Sequence, residues 1–169
     1  MANLYQSNTI LIREFIPEEQ QVFIALFEDE EVARYIPLRS TIQYQELFND
    51  TIADYENGPL GRWGIFDAQT QDFIGMCLTR NFKYISDQVE IGYVLAKKYW
   101  GKGIASEVSK VLVAYCFKYT NTSQVVAVTD LENIGSQKVL EKAGLKRLMN
   151  LKRDEEELAY FRIERWQHL

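Results

Sequence analysis

Histidine is nearly missing from this chain. Among 169 residues there is one, His168, beside the end. That excludes a histidine-based catalytic triad and a histidine-rich metal site, and no metal is anticipated. Cysteine is scarce too: Cys77 and Cys116 stand far apart in apolar runs, which suits buried thiols rather than a disulfide framework. No apolar run is long enough to span a bilayer, so no membrane partner is expected. The opening residues Met1 to Asn8 lack the basic start and apolar stretch of a secretory signal. A cytoplasmic protein is the expectation. The net charge of -5 counts against direct nucleic-acid binding. Two phosphate-binding patterns are absent as well. No Gly-x-x-x-x-Gly-Lys-Ser/Thr run occurs, and Ser106 stands where a full Gly-x-Gly-x-x-Gly would need its third glycine.

What is present is a globular composition, 47% apolar, in a length that suits one domain with a sizeable core. The chain is organised around Val89 to Phe117. Val89 to Leu95 reads as a strand. Gly101-Lys102-Gly103 then turns the chain, and Ile104, Val108, Val111, Leu112, Tyr115 and Cys116 follow at helical spacing. Strand, glycine turn and helix start make a device for holding an anion. The first amides of a helix have no partner within it, the helix dipole is positive there, and glycine lets a phosphate approach closely.

The remaining elements follow in order. Thr9 to Phe15 reads as a strand. Pro17 opens a helix with an apolar stripe of Val22, Phe23, Leu26 and Phe27. Asp29 to Tyr35 suits a short helix, and Ser40 or Thr41 caps a third, running to about Tyr55. Arg62 to Phe66 and Asp72 to Phe82 suit an antiparallel hairpin. After the long helix come a valine-rich strand, Gln124 to Thr129, and a helix, Asn133 to Ala143, stopped by Gly144. Leu145 to Leu151 and Leu158 to Trp166 are two last strands, joined by a charged turn, Lys152 to Glu157. The pattern predicts an α/β (α+β) fold: one mixed, mostly antiparallel, seven-stranded sheet flanked by helices. One domain is expected over residues 1–169, with its core at 10–165.

Four pieces of this chain resemble the GNAT superfamily of acyl-CoA-dependent N-acetyltransferases, and within it the RimJ/RimL-type branch. They are Ile10-Leu11-Ile12-Arg13 with Glu31-Val32-Ala33-Arg34-Tyr35-Ile36-Pro37; Phe73-Ile74-Gly75; Glu90-Ile91-Gly92-Tyr93-Val94-Leu95 with Tyr99-Trp100-Gly101-Lys102-Gly103-Ile104-Ala105; and Asn133-Ile134-Gly135-Ser136 with Glu141-Lys142-Ala143-Gly144-Leu145. In the superfamily's phosphate loop an arginine or glutamine usually comes first. Trp100 takes that place here, as is common in this branch, and Gly103 and Ala105 match the last two positions. The resemblance implies a sheet splayed between its fourth and fifth strands, with acetyl-CoA as co-substrate. The backbone amides of Gly101, Lys102, Gly103, Ile104 and Ala105 would hold the pyrophosphate. Val94 and Leu95 would pair with the pantetheine arm, with Val94 or Leu95 nearest the carbonyl to be polarised. Lys97, Lys98 and Lys102 would either add charge near the phosphates or be simply solvated.

For catalysis, the tyrosine used by many superfamily members is replaced by Leu140. The branch's serine falls at Ser136, which is either a proton donor to the leaving thiolate or a helix-start hydroxyl. Asn133 contacts the coenzyme arm, caps the helix, or does both. Glu90 either acts on the amine or pairs with a neighbouring strand, and Glu155, Glu156 and Glu157 are either acidic helpers or a solvated turn. The branch implies that the acceptor is a protein N-terminus, such as that of a ribosomal protein. A free α-amine has a pKa of about 7.7–8.0 against about 10.4 for lysine, so an enzyme without an obvious strong base handles it more easily. A small, polyamine-like amine and a non-catalytic acyl-CoA-binding module are the alternatives. Exposed final strands would allow a homodimer.

Overall fold

The computed structural model describes residues 2–168. The limits of the expected single domain, Met1 and Leu169, lie outside the described residues. The strands are β1 (Asn3–Gln6), β2 (Ile10–Arg13), β3 (Gly61–Asp67), β4 (Phe73–Asn81), β5 (Gln88–Leu95), β6 (Gln124–Asp130), β7 (Lys146–Arg147), β8 (Leu151–Arg153) and β9 (Glu156–Glu164). The helices are α1 (Gln20–Leu26), α2 (Glu30–Ala33), α3 (Thr41–Asp54), α4 (Ile104–Tyr119) and α5 (Ile134–Lys142). In hydrogen-bonded order the sheet runs β1-β2-β3-β4-β5-β6-β9-β7, with β8 also on β9. It is a mixed, mostly antiparallel open sheet flanked by helices, as the sequence pattern predicts. The chain forms two compact units. One comprises the residues up to Leu78 together with Tyr93–Ile104, the other Thr79–Gly92 together with the residues from Ala105 onward.

In the first unit an aromatic cluster sets the packing. The Phe15 ring lies 5.6 Å from Phe23 and 5.5 Å from Phe48, both edge-on, the geometry that aromatic quadrupoles favour. Ser40 begins α3 with a capping box: its hydroxyl accepts from the Gln43 amide at 3.2 Å, and the Gln43 side chain accepts from the Ser40 amide at 2.8 Å. The stripe of α1 differs from the expected one. Val22 is exposed and Ile24 is buried. The cause is the entry: Pro17–Glu19 forms a 3₁₀ turn before the α-helix proper, and its tighter winding rotates the residues that follow. β1 lay outside the expected elements because Asn3-Leu4-Tyr5-Gln6 is too short and polar to show a pattern; it forms by antiparallel pairing with β2.

In the second unit β6 pairs with β9 antiparallel along its whole length. Val108, Leu112, Val113 and Cys116 of α4 are buried. Burial pushes the Cys116 thiol up to about 12, and Cys77 is likewise buried as a free thiol, so both cysteines play the expected core role. The strand expected over Leu145 to Leu151 is split into β7 and β8. Between them the Leu148 amide still donates to the Tyr160 carbonyl of β9 at 2.9 Å, while the Arg147 guanidinium donates to the Leu148 carbonyl at 2.7 Å and to Asn150 Oδ1 at 2.6 Å, so a side chain satisfies that one carbonyl. With β1, this raises the count among the described residues from the expected seven strands to nine. The charged turn also narrows. Arg153 faces Glu156 in register, leaving Asp154 at φ 50° and Glu155 at φ 66° as a two-residue turn. Both central residues of such a turn need positive φ. Among the described residues no helix is long and apolar enough to cross a membrane.

A non-glycine residue in the left-handed region costs roughly 1–2 kcal/mol. Glu155→Gly is therefore expected to raise the unfolding free energy by up to about 1 kcal/mol, the rest being offset by glycine's freedom in the unfolded chain. Urea titration followed by tryptophan fluorescence checks this. A loss of stability would mean that the Glu155 side chain holds the hairpin in some other way.

Candidate active site

The site is built from the end of β5 and the turn after it. On β4, an added Cβ at Gly75 would lie 2.1 Å from the Val94 carbonyl oxygen and 2.9 Å from Leu95 Cα. No side chain fits there, so glycine is required by close approach rather than by its φ. The Ala96 amide then donates to the Ile74 carbonyl at 2.8 Å. One residue further back along β5, the Leu95 carbonyl accepts the Trp100 indole N–H at 2.9 Å. Trp100 thus closes the turn between strand and loop with its side chain. Its ring is still about half exposed.

Past Trp100 the chain reverses through Gly101 at φ 74° and Gly103 at φ 81°. A Cβ on either would meet no protein atom within 4 Å. The demand for glycine here is conformational, and the space outside the turn is open. A turn with two left-handed glycines leading into a helix start is a backbone form that can make an anion-binding concavity. The turn runs into α4, a helix of 16 residues, whose first amides at Ile104 and Ala105 continue the series. The lysines of this segment have other partners. Lys97 forms an ion pair with Glu31 of α2, which raises its pKa. Lys98 and Lys102 lie 5.1 and 5.6 Å from the Tyr99 ring.

Other candidate residues lie in the second unit. β5 and β6 are parallel and pair as Gln88↔Gln124, Val89↔Val125 and Glu90↔Val126. Among the described residues the pairing ends there, although Ile91 and Gly92 continue β5 in the same unit and β6 runs on to Asp130. The separation expected between the fourth and fifth strands of the sequence begins at this point. Glu90 is 5% exposed. Its Oε1 and Oε2 accept from Arg80 Nε at 2.9 Å and Nη2 at 3.2 Å, and from Arg153 Nη1 at 3.3 and 3.2 Å. Both carboxylate oxygens are engaged by guanidinium groups in charge-assisted hydrogen bonds. Of the two readings open for Glu90, pairing is the one this geometry displays.

At α5, Asn133 caps the helix, its Oδ1 accepting from the Ser136 amide at 3.2 Å. Ser136 is half-buried one turn into the helix, and Leu140, one turn further, is in the core. Glu155, Glu156 and Glu157 are exposed. The structure therefore brings Val94, Leu95 and Trp100 together at the start of the glycine turn, and Asn133 and Ser136 together at a helix start. The sequence reading missed Arg80 and Arg153. A strand position carrying arginine within the apolar run of β4 was the available signal for the first. The second was hidden among the charges of the final turn.

A family model described as Acetyltransferase (GNAT) domain matches residues 9–146. A Bacillus licheniformis protein, uncharacterized N-acetyltransferase p20, is 30% identical over 146 residues, covering 83% of this chain and 80% of its own. Among solved structures, RimL, a ribosomal-protein alpha-N acetyltransferase in complex with coenzyme A, has a TM-score of 0.82 at 15% identity, covering 96% of this chain and 98% of that one. Spermidine N-acetyltransferase from Vibrio cholerae, in complex with CoA and spermine, has a TM-score of 0.79 at 19% identity, covering 96% and 99%. These two likenesses establish the fold. The family match establishes membership: this chain belongs to the GNAT acetyltransferase family, and it is an N-acetyltransferase.

Because a Cβ at Gly75 would meet main-chain atoms rather than a movable side chain, Gly75→Ala is expected to cost about 1–3 kcal/mol. Thermal and urea unfolding measure it. Unchanged stability would show that β4 and β5 separate there without penalty.

Proposed function

We propose that this protein, acting as a single domain in the cytoplasm, transfers the acetyl group of acetyl-CoA to the N-terminal α-amine of a protein, a ribosomal protein being one such acceptor. The observation that carries the reading is the glycine turn between β5 and α4, with two positive-φ glycines and open space above them. The chemistry of that donor set fits a diphosphate: main-chain N–H groups at Gly101, Lys102, Gly103, Ile104 and Ala105, at the positive end of a long helix. When bound, acetyl-CoA supplies a thioester activated toward amines.

The chain's own residues then have limited tasks. The turn and the α4 amides hold the diphosphate. Leu95 presents its main chain to the pantetheine arm. Val94 is less suited to that task, since its carbonyl is turned onto Gly75. Trp100 is a positioning residue, fixing the Leu95 carbonyl through its indole. Ser136 donates a proton to the departing thiolate, directly or through a water, with Asn133 fixing the helix start beneath it. Glu90 is an anchor rather than the base, because both its oxygens are engaged by Arg80 and Arg153. Much of the acceleration comes from holding two substrates together. An α-amine needs little help in losing its proton near neutral pH, since its pKa is about 8.

The RimL likeness supports a protein N-terminus as acceptor, and the spermidine acetyltransferase likeness supports a polyamine. Peptides and small amines offered with acetyl-CoA and read by mass spectrometry decide between them. Acetylation at peptide N-termini is expected; acetylation of spermidine alone would reverse the choice. Gly103→Glu fills and charges the anion cradle, so coenzyme A should no longer shift the melting temperature. Retained affinity in a folded variant would remove the loop from the site. Ser136→Ala should lower kcat about 10²-fold with little change in KM, the typical size for a lost acid. A rate within twofold of the parent would assign the proton to water alone.

A further inference from the structure

The ion cluster at Glu90 has more positive charge than its carboxylate can neutralise. Two guanidinium groups share one buried carboxylate. Arg80 comes from β4, Glu90 from β5 and Arg153 from β8, all within the second unit. Arg80 uses its Nε and Nη2, and Arg153 uses its Nη1. Arginine has five N–H donors, so Nη1 of Arg80 and the Nε and Nη2 of Arg153 have capacity left. The side chains are not sealed: Arg80 is 43% exposed and Arg153 22%, against 7% for Glu90. One unit of positive charge stands at a partly open surface, with planar donors on its rim.

The neighbouring charges are mixed, and Asp154, beside Arg153 in the turn, is a further exposed carboxylate. Arg162 is matched by Glu164 at 3.0 Å. Glu156 stands opposite Arg153 in the hairpin register, and Glu155 and Glu157 flank it, but all three are exposed and none ion-pairs with Arg153 among the described residues. The location matters as much as the charge. Partners in register share a face of the sheet, so Glu90 lies on the face of Val126, and through β9 on that of Val128 and Tyr160. Glu90↔Val126 is the last pair before β5 and β6 cease to bond. The cations therefore border the point in the second unit where β5 and β6 cease to pair, five residues along the chain before Leu95.

We propose that Arg80 and Arg153 read the charge of the acceptor, selecting an amine that carries a carboxylate close by: a peptide N-terminus with Asp or Glu among its first residues. The inference rests on the acetyl-transfer reading and adds to it a class of substrate. The carboxylate takes the guanidinium donors that Glu90 leaves, in the planar geometry arginine offers. A polycation such as spermidine meets a like charge at the same place. Glu90 keeps the two forks aligned and fixes their spacing.

The test uses pairs of short peptides that differ only in a side-chain carboxylate against its carboxamide, with spermidine as a third acceptor and acetyl-CoA as donor. The parent should show a KM at least about tenfold lower for the acidic peptide, with similar kcat, and this gap should shrink as KCl is raised. Arg153→Gln and Arg80→Gln should each raise KM for the acidic peptide while leaving the carboxamide peptide unaffected, and Arg153→Lys should restore part of the gap. Where a single variant fails to fold, Arg80→Gln combined with Glu90→Gln leaves Arg153 as the cluster's one charge, so the lower KM for the acidic peptide should persist, and its loss overturns the proposal. Equal KM for the two peptides in the parent overturns the proposal, as does preferred use of spermidine or an equal loss on both peptides in the arginine variants. If the protein binds coenzyme A, measured by thermal shift, yet acetylates no acceptor, the acetyl-transfer reading itself fails. Acetylation without charge preference overturns only the present inference.

Discussion

Everything at the proposed coenzyme end depends on how closely β4 and β5 approach at Gly75. The Val94 carbonyl occupies the volume a side chain would need. That contact turns one main-chain group of β5 inward and is followed by the Ala96 to Ile74 bond. The strand end is thereby fixed on one side by backbone alone. The Leu95 carbonyl is also tied by an indole N–H from five residues ahead. A main chain held in this way can present polar groups without a side chain competing for them. A site that must grip a long, flexible arm needs such presentation, because a preformed donor set loses little entropy on binding.

The same economy explains what was legible in the sequence. Gly101 and Gly103 could be read because positive φ leaves few residue choices, and Ser40 and Asn133 because a helix start needs an oxygen acceptor. The strands of the central sheet were legible from apolar runs. The alternation of Val22 and Ile24 was not, because a 3₁₀ entry shifts phase without leaving a mark in composition. Nor was the split into β7 and β8, where the Arg147 side chain bonds the Leu148 carbonyl. β1 depends on its partner strand and has no pattern of its own.

Site residues divide along the same line. Those defined by local geometry, the turn glycines and the α5 cap, lie where the sequence pattern puts them. Glu90 is different. Its role depends on Arg80, ten residues before it, and on Arg153, which lies 63 residues after it. No local pattern reports such a partner. A carboxylate on a strand beside a glycine motif invites assignment as a base, and only the long-range pairing shows how it is held. The cost of burying the carboxylate is repaid by charge-assisted bonds on both oxygens.

The asymmetry of that cluster bears on how such an enzyme can be selective while contributing little acid–base chemistry. On the proposed reading, main-chain amides recognise the coenzyme, which every turnover shares, and they need no side-chain identity beyond glycine. Discrimination among amines must then come from side chains that are not required for the donor. Arg80 and Arg153 meet this condition: they are partly exposed, they are held by a buried anion rather than by the glycine turn, and they come from β4 and β8. Changing them alters the charge offered to an acceptor while the Gly75 to Val94 contact and the α4 start keep their own supports. Donor binding and acceptor choice can therefore vary independently in this fold. The separation follows from which atoms do the holding: backbone for the part that is constant, and guanidinium edges for the part that differs between acceptors.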